Sequence, residues 1–223
     1  MAQLEIACFS VQSAVIAQQA GAHRIELCAD RSVGGFTPSI ADFNQILAQV
    51  NLPIYVMIRP RGGNFVYTPA EFEQMKQQLL VFKEAGAHGF VFGCLTKNGT
   101  IHPAQNKELV QLAQPLPCTF HRAFDEVENK EMGLQAVIEY GFKSLLTAGH
   151  VGNAVHGIAA LQKLQAQAQG KITLLAGGGI RSNTVHKLLT ETGLHWVHSS
   201  AITSGKETDA AEIKALLSVC QKA

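Results

Sequence analysis

Eight short apolar runs alternate with helical stretches along this chain, and few folds accept that order. The runs cover residues 4–8, 24–28, 54–58, 89–92, 118–121, 144–147, 173–176 and 196–198. Each is rich in β-branched, leucine or aromatic residues and has the length of a strand. Helix signals recur between them. Ser10 can cap a helix over 11–20, with Gly21 as its left-handed stop. Thr68 precedes Pro69, and Glu71 stands three residues on, the pattern of a capping box with proline in the first turn. Pro38, Pro103, Asn129, Asn153 and Ser182 open further helices, Gly86, Gly141 and Gly193 close three, and a last helix spans 209–220. An internal echo repeats the unit: "AGAHRIEL" at 20–27 returns as "AGAHGFVF" at 85–92.

A strand followed by a helix, eight times in 223 residues, predicts a single (β/α)8 TIM-barrel domain over 1–223. The alternative is an open doubly wound sheet. Such a sheet more often carries a glycine fingerprint after its first strand, where this chain has "CFSVQS". The net charge of +1 argues against a general nucleic-acid binder. No apolar run approaches the length of a membrane span, and the start "MAQLE" has neither the basic nor the apolar part of a signal peptide. The expectation is a soluble cytoplasmic protein, with a homodimer as the commonest assembly for such chains. The five cysteines, Cys8, Cys28, Cys94, Cys118 and Cys220, have no CxxC spacing and no disulfide pattern.

Barrel chemistry gathers at the C-terminal ends of the strands. Side chains there alternate between the barrel axis and the dry helix side. A carboxylate is costly on the dry side, so Glu5 and Glu26 are expected to face the axis. The same phase turns Arg59 and His121 inward, with Arg61 just past its strand end. These residues, with His198, predict a polar cup at the barrel top. Glu26 and His121 are candidates for moving protons, Asp125 for orienting His121, accepting a ligand hydroxyl or capping the following turn, and Arg59 and Arg61 for neutralising an acidic group. "AGGGIRSN" places Gly177, Gly178 and Gly179 between a strand and a helix that opens near Ser182. With Ser199 and Ser200 of "HSSAI", read as a short extra helix, they predict a phosphate site. Glu5 and Glu26 paired with arginine as a purely structural network is the competing reading. Cys28 shares the phase of Glu26, while Cys8 has the opposite phase to Glu5. Two thiolates meeting at adjacent strand ends would suit Cu(I).

The segments "RIELC", "GGFTPS", "MIRPRGGNFVY", "TFHRAFD", "LLAGGGI" and "HSSA", in this order, resemble the CutC family of copper homeostasis proteins over nearly the whole chain. The resemblance implies a TIM barrel, a cytoplasmic location and a role in copper tolerance, with Cys8 and Cys28 as Cu(I) ligands. Asn64 departs from the family's pattern, which often has Asp after "RGG", and Ala148 stands where "LTSG" is usual. Two functions follow. One is copper binding through Cys8 and Cys28, with the copper ion as partner. The other is an isomerase, epimerase or lyase acting on a small phosphorylated or other anionic metabolite, with no organic cofactor.

Overall fold

A computed structural model describes residues 1–222. Eight parallel strands close into a barrel in the order of the sequence: β1 (Gln3–Cys8), β2 (Arg24–Leu27), β3 (Ile54–Met57), β4 (Gly89–Phe92), β5 (Cys118–Phe120), β6 (Ser144–Thr147), β7 (Thr173–Gly177) and β8 (Trp196–Ser199). Each is followed by a helix: α1 (Val11–Ala20), α2 (Ile40–Leu47), α3 (Pro69–Glu84), α4 (Pro103–Ala113), α5 (Lys130–Glu139), α6 (Ile158–Ala168), α7 (Val185–Thr192) and α8 (Ala210–Lys222). This is the (β/α)8 barrel that the alternation predicts. The caps act where the sequence places them. Ser10 accepts from the Ser13 N–H, Gly21 closes α1 at φ 95°, and Thr68 with Glu71 forms a full capping box.

One residue set on each strand faces the helices. Leu4, Ile6, Ile25, Leu27, Val56, Phe90, Phe92 and Phe120 belong to it and form the continuous apolar layer of the domain. Its burial supplies most of the drive to fold. The alternate set points at the axis and holds nearly all the chemistry. Glycines on that inner face make room for large side chains across the barrel. A Cβ on Gly89 would meet the Tyr55 ring at 2.7 Å, and one on Gly93 would meet His121 Nδ1 at 2.7 Å.

Two local expectations change. The helix after β7 begins at Val185 rather than near Ser182, because Ser182 turns its N–H and hydroxyl onto Glu212, each at 2.8 Å. The stretch after β8 forms no short extra helix. Ala201 takes φ 49°, a left-handed residue that breaks a helical path, and Ser199 Oγ accepts the Ala201 N–H instead.

Candidate active site at the barrel mouth

Strand register sets the floor of the site. Glu5 of β1 lies opposite Arg24 of β2 on one side and His198 of β8 on the other. One row across three strands therefore brings an acid, a guanidinium and an imidazole together on the axis. Arg24 Nε donates to Glu5 Oε2 at 2.5 Å, and His198 Nδ1 lies 2.7 Å from Glu5 Oε1. The Arg24 guanidinium is sandwiched between Tyr55 and Trp196, 4.2 and 4.4 Å from their ring centres. Burial works against the charge on Glu5, but Arg24 and His198 outweigh it and hold this carboxyl below its usual range.

Glu26 stands one layer higher. Its Oε2 is 3.7 Å from His198 Nε2 and accepts from Cys28 Sγ at 3.4 Å. Its Oε1 has no partner in the fold. Burial, helped by the nearby Glu5 charge, pushes the Glu26 carboxyl up despite His198. Burial opposes the charge on His198 too, yet Glu26 and Glu5 overcome it and keep the imidazole above its ordinary value. Two carboxyls shifted in opposite directions and bridged by an imidazole can exchange a proton through it.

Above this row opens a cavity of about 340 Å³, a size that suits a small metabolite. Glu26, Arg59, His121, Gly178, Gly179 and Ser200 are among its walls. Sequence reasoning missed three more arginines there, Arg31, Arg122 and Arg181. Arg59 donates to the carbonyls of Val33 (3.0 Å), Gly35 (2.9 Å) and Gly63 (2.8 Å). Arg181 donates to the carbonyls of Ile180 and Ile202 and to Ser199 Oγ. Both guanidiniums thus bond only neutral oxygens and keep an uncompensated charge beside the cavity. Arg122 is tied to Asp125 at 2.8 Å and to the Gly152 carbonyl at 2.7 Å. The only carboxylate among the lining residues is Glu26. The cavity is therefore electropositive.

His121 is 3% exposed, and its Nδ1 accepts the Ala123 N–H at 3.3 Å, which leaves the proton on Nε2. Burial, with Arg59 nearby, lowers its pKa to about 3, so near neutral pH it is an uncharged donor rather than a titrating acid/base. Asp125 is buried and does not orient His121. It accepts from Thr147 Oγ1 (2.5 Å), the Ala148 N–H (3.1 Å) and Arg122 Nε, so it positions Arg122.

Arg61 is not among the cavity walls. Past the strand end the two-residue phase lapses, and Arg61 binds Glu71 at 2.5 Å and the carbonyls of Asn64 and Val66, both at 2.9 Å. Gly177, the last residue of β7, also lies outside the lining. A Cβ there would reach Leu146 at 2.4 Å. Gly178 and Gly179 do line the cavity, with φ of 108° and 69°. A Cβ on Gly178 would lie 2.8 Å from the Gly152 carbonyl and 3.0 Å from the Arg122 guanidinium carbon. Ser199 supports Arg181 and Ser200 faces the cavity.

The arrangement of the two cysteines does not fit a shared ion. Cys8 packs in the helix-facing layer with Leu4 and Ile6, whereas Cys28 packs on the axis side with Met57 and Val91. Burial raises both thiols, so each holds its proton. Among the described residues, Glu5, Glu26 and His198 bring one donor atom each within 4.8 Å of one another. The Arg24 guanidinium already supplies the positive charge there, and carboxylates are poor partners for Cu(I).

The fold and cavity together define a TIM-barrel protein with an arginine-rich pocket at the C-terminal ends of its strands. A family model for the CutC family matches residues 2–203, and the chain belongs to that family. A CutC family protein of Photorhabdus laumondii is 43% identical over 90% of this chain and 80% of its own. The human protein named copper homeostasis protein cutC homolog is 41% identical over 89% of this chain and 72% of its own. A solved structure from Streptococcus agalactiae that carries the CutC name superposes with a TM-score of 0.85 at 30% identity, covering 91% of this chain and all of that one. The N-(5'-phosphoribosyl)anthranilate isomerase of Pyrococcus furiosus superposes with a TM-score of 0.69 at 12% identity over the full length of both, a likeness of fold alone. Among the described residues no helix is long and apolar enough to cross a membrane.

Proposed function

We propose that this chain serves copper homeostasis, the role named in its relatives. We propose further that its molecular activity is a proton transfer on a small phosphorylated or otherwise anionic metabolite, an isomerase, epimerase or lyase step. The observation that carries the second part is the uncompensated charge of Arg59 and Arg181 beside a cavity lined by a single carboxyl, Glu26. Such a cavity stabilises an anion, and the Glu26–His198 pair can give or take a proton beside it. The five free cysteines suit a reducing cytoplasm, where we place the protein.

Phosphate monoesters should raise the thermal midpoint by several degrees at about a hundredfold excess over Kd, following mass action. Sodium chloride at equal ionic strength should not. Gly178→Val crowds the Gly152 carbonyl and Arg122 and should erase the increment, whatever it does to the baseline. An unchanged increment would remove the glycine turn from the site, and no increment with any phosphate ester would end the anion reading.

The family resemblance carries a second reading, in which Cys8 and Cys28 hold Cu(I). One contact favours it: the Cys28 N–H donates to the Cys8 carbonyl at 2.9 Å, so the residues are neighbours. To share an ion, Cys8 must turn its thiol across the strand and both thiols must lose protons. Titration of Cu(I) against a competing chelator decides the matter. Affinity at least about tenfold weaker in the Cys8→Ser, Cys28→Ser chain supports the reading; equal affinity ends it.

A further inference from the structure

Three polar atoms beside the cavity have no partner in the fold: Arg59 Nε, His121 Nε2 and Glu26 Oε1. Buried polar atoms are nearly always bonded, and leaving one unpaired costs about 1–3 kcal/mol. Three around one cavity ask for a common cause. Two are donors and one is an acceptor, which is the complement of a group that presents an oxygen and an acidic hydrogen.

The two donor side chains pack on one ring. The Arg59 guanidinium lies 4.7 Å from the centre of the Phe65 ring, and the His121 ring meets the same phenyl edge-on at 4.8 Å. Each donor is also locked from behind. The terminal nitrogens of Arg59 donate to three carbonyls, which leaves Nε–H and one terminal N–H, and His121 Nδ1 is spent on Ala123, which leaves Nε2–H. Donors fixed in this way lose little freedom when charge develops opposite them. Glu26 faces the same space from β2, with His198 behind it. Its last torsion is soft, so either oxygen can be presented.

We infer that the substrate is an enolisable carbonyl compound, its carbonyl oxygen received by Arg59 Nε–H and His121 Nε2–H and its adjacent C–H facing Glu26. This rests on the reading of the cavity as an anion site and adds the reacting group to it. Glu26 takes the proton from the carbon beside the carbonyl. The C–H electron pair becomes a carbon–carbon double bond, and the carbonyl π pair moves onto oxygen. The resulting enolate is held by an uncharged imidazole and a guanidinium. Where the adjacent carbon carries a hydroxyl, Glu26 returns the proton to the former carbonyl carbon while the hydroxyl proton passes to the enolate oxygen and the second carbon becomes the carbonyl, which completes an isomerisation. The reaction needs no oxidant, reductant or co-substrate.

The test compares two ligands that share a phosphate. Phosphoglycolohydroxamate mimics the planar enediolate, and glycerol 3-phosphate has no carbonyl. Calorimetry should show the hydroxamate binding at least about tenfold more tightly, as reactive-state mimics do. Glu26→Gln and His121→Gln should each lose most of that preference while keeping the affinity for glycerol 3-phosphate. Equal binding of both ligands by the parent chain would overturn the inference and leave the anion site standing. Binding of neither would sink both. Because the readout is a ratio within one folded chain, a loss of overall stability in a variant does not imitate the expected result.

Discussion

Replacing Glu5 by glutamine should lower the unfolding free energy by about 3–5 kcal/mol, the cost of breaking a buried ion pair from one side. Glu5 is fully buried and accepts from Arg24 on one oxygen and contacts His198 on the other. The amide keeps the shape but loses the charge. Arg24, 7% exposed and held between two aromatic rings, then has no anion in contact. The thermal midpoint should fall by about 6–20 °C for a chain of this length. The charge, not the packing, is at issue, and a double substitution separates them. Glu5→Gln with Arg24→Met removes the stranded cation and should recover a large part of the loss, since apolar replacement of a whole buried pair is often close to neutral. A single substitution costing under about 1 kcal/mol, or a double one costing the sum of the two singles, would show that the row does not bear on stability as a coupled unit.

That row also shows what was legible in the sequence. The period of two along a strand sends Glu5, Glu26, Arg59 and His121 inward, because a helix-facing charge has no water and no partner. Arg24 shares that phase with Glu26, yet it reads as the edge of a run, and only the parallel register reveals that it faces Glu5. Arg61 fails for the converse reason. It lies four residues past β3, where the chain turns toward the start of α3 and Glu71 captures it. Arg181 reaches the cavity from a loop and Arg122 from the short 3-10 turn Arg122–Glu126 that follows β5, and no strand or helix periodicity reports on such side chains. Their placement depends on Asp125 in one case and on Ser199 with two carbonyls in the other. The glycine run was visible, but which glycine does what depends on neighbours distant in sequence. Gly177 makes space for Leu146, while Gly178 and Gly179 form the wall. The opposite faces taken by Cys8 and Cys28 follow from their phases, and the strand ends do not relax enough to cancel that difference.

Acid should weaken the fold through His121, and the sign follows from where the proton binds. In the unfolded chain this imidazole titrates near 6.5, whereas burial beside Arg59 holds it at about 3 in the fold. Between those values the unfolded state binds the proton and the folded state does not, so stability falls as pH falls. The slope is about 1.4 kcal/mol per pH unit at most, or about 2 kcal/mol between pH 6.5 and 5. Glu26 acts in the opposite sense over part of that range, because its folded carboxyl is raised above its unfolded value and gains a proton first. His198, also raised, holds its proton more tightly in the fold, so near its unfolded value it too opposes the loss, and it does so in both chains compared below. Urea midpoints measured from pH 7 to 5 on the parent and on His121→Gln isolate the imidazole. Glutamine can still accept the Ala123 N–H but takes no proton, so the parent should lose about 2 kcal/mol relative to the variant over the interval. Parallel curves would mean that the folded imidazole binds its proton as readily as the free one. It would then carry charge into the cavity on acidification, and the enolate would face a titrating cation instead of a fixed neutral donor.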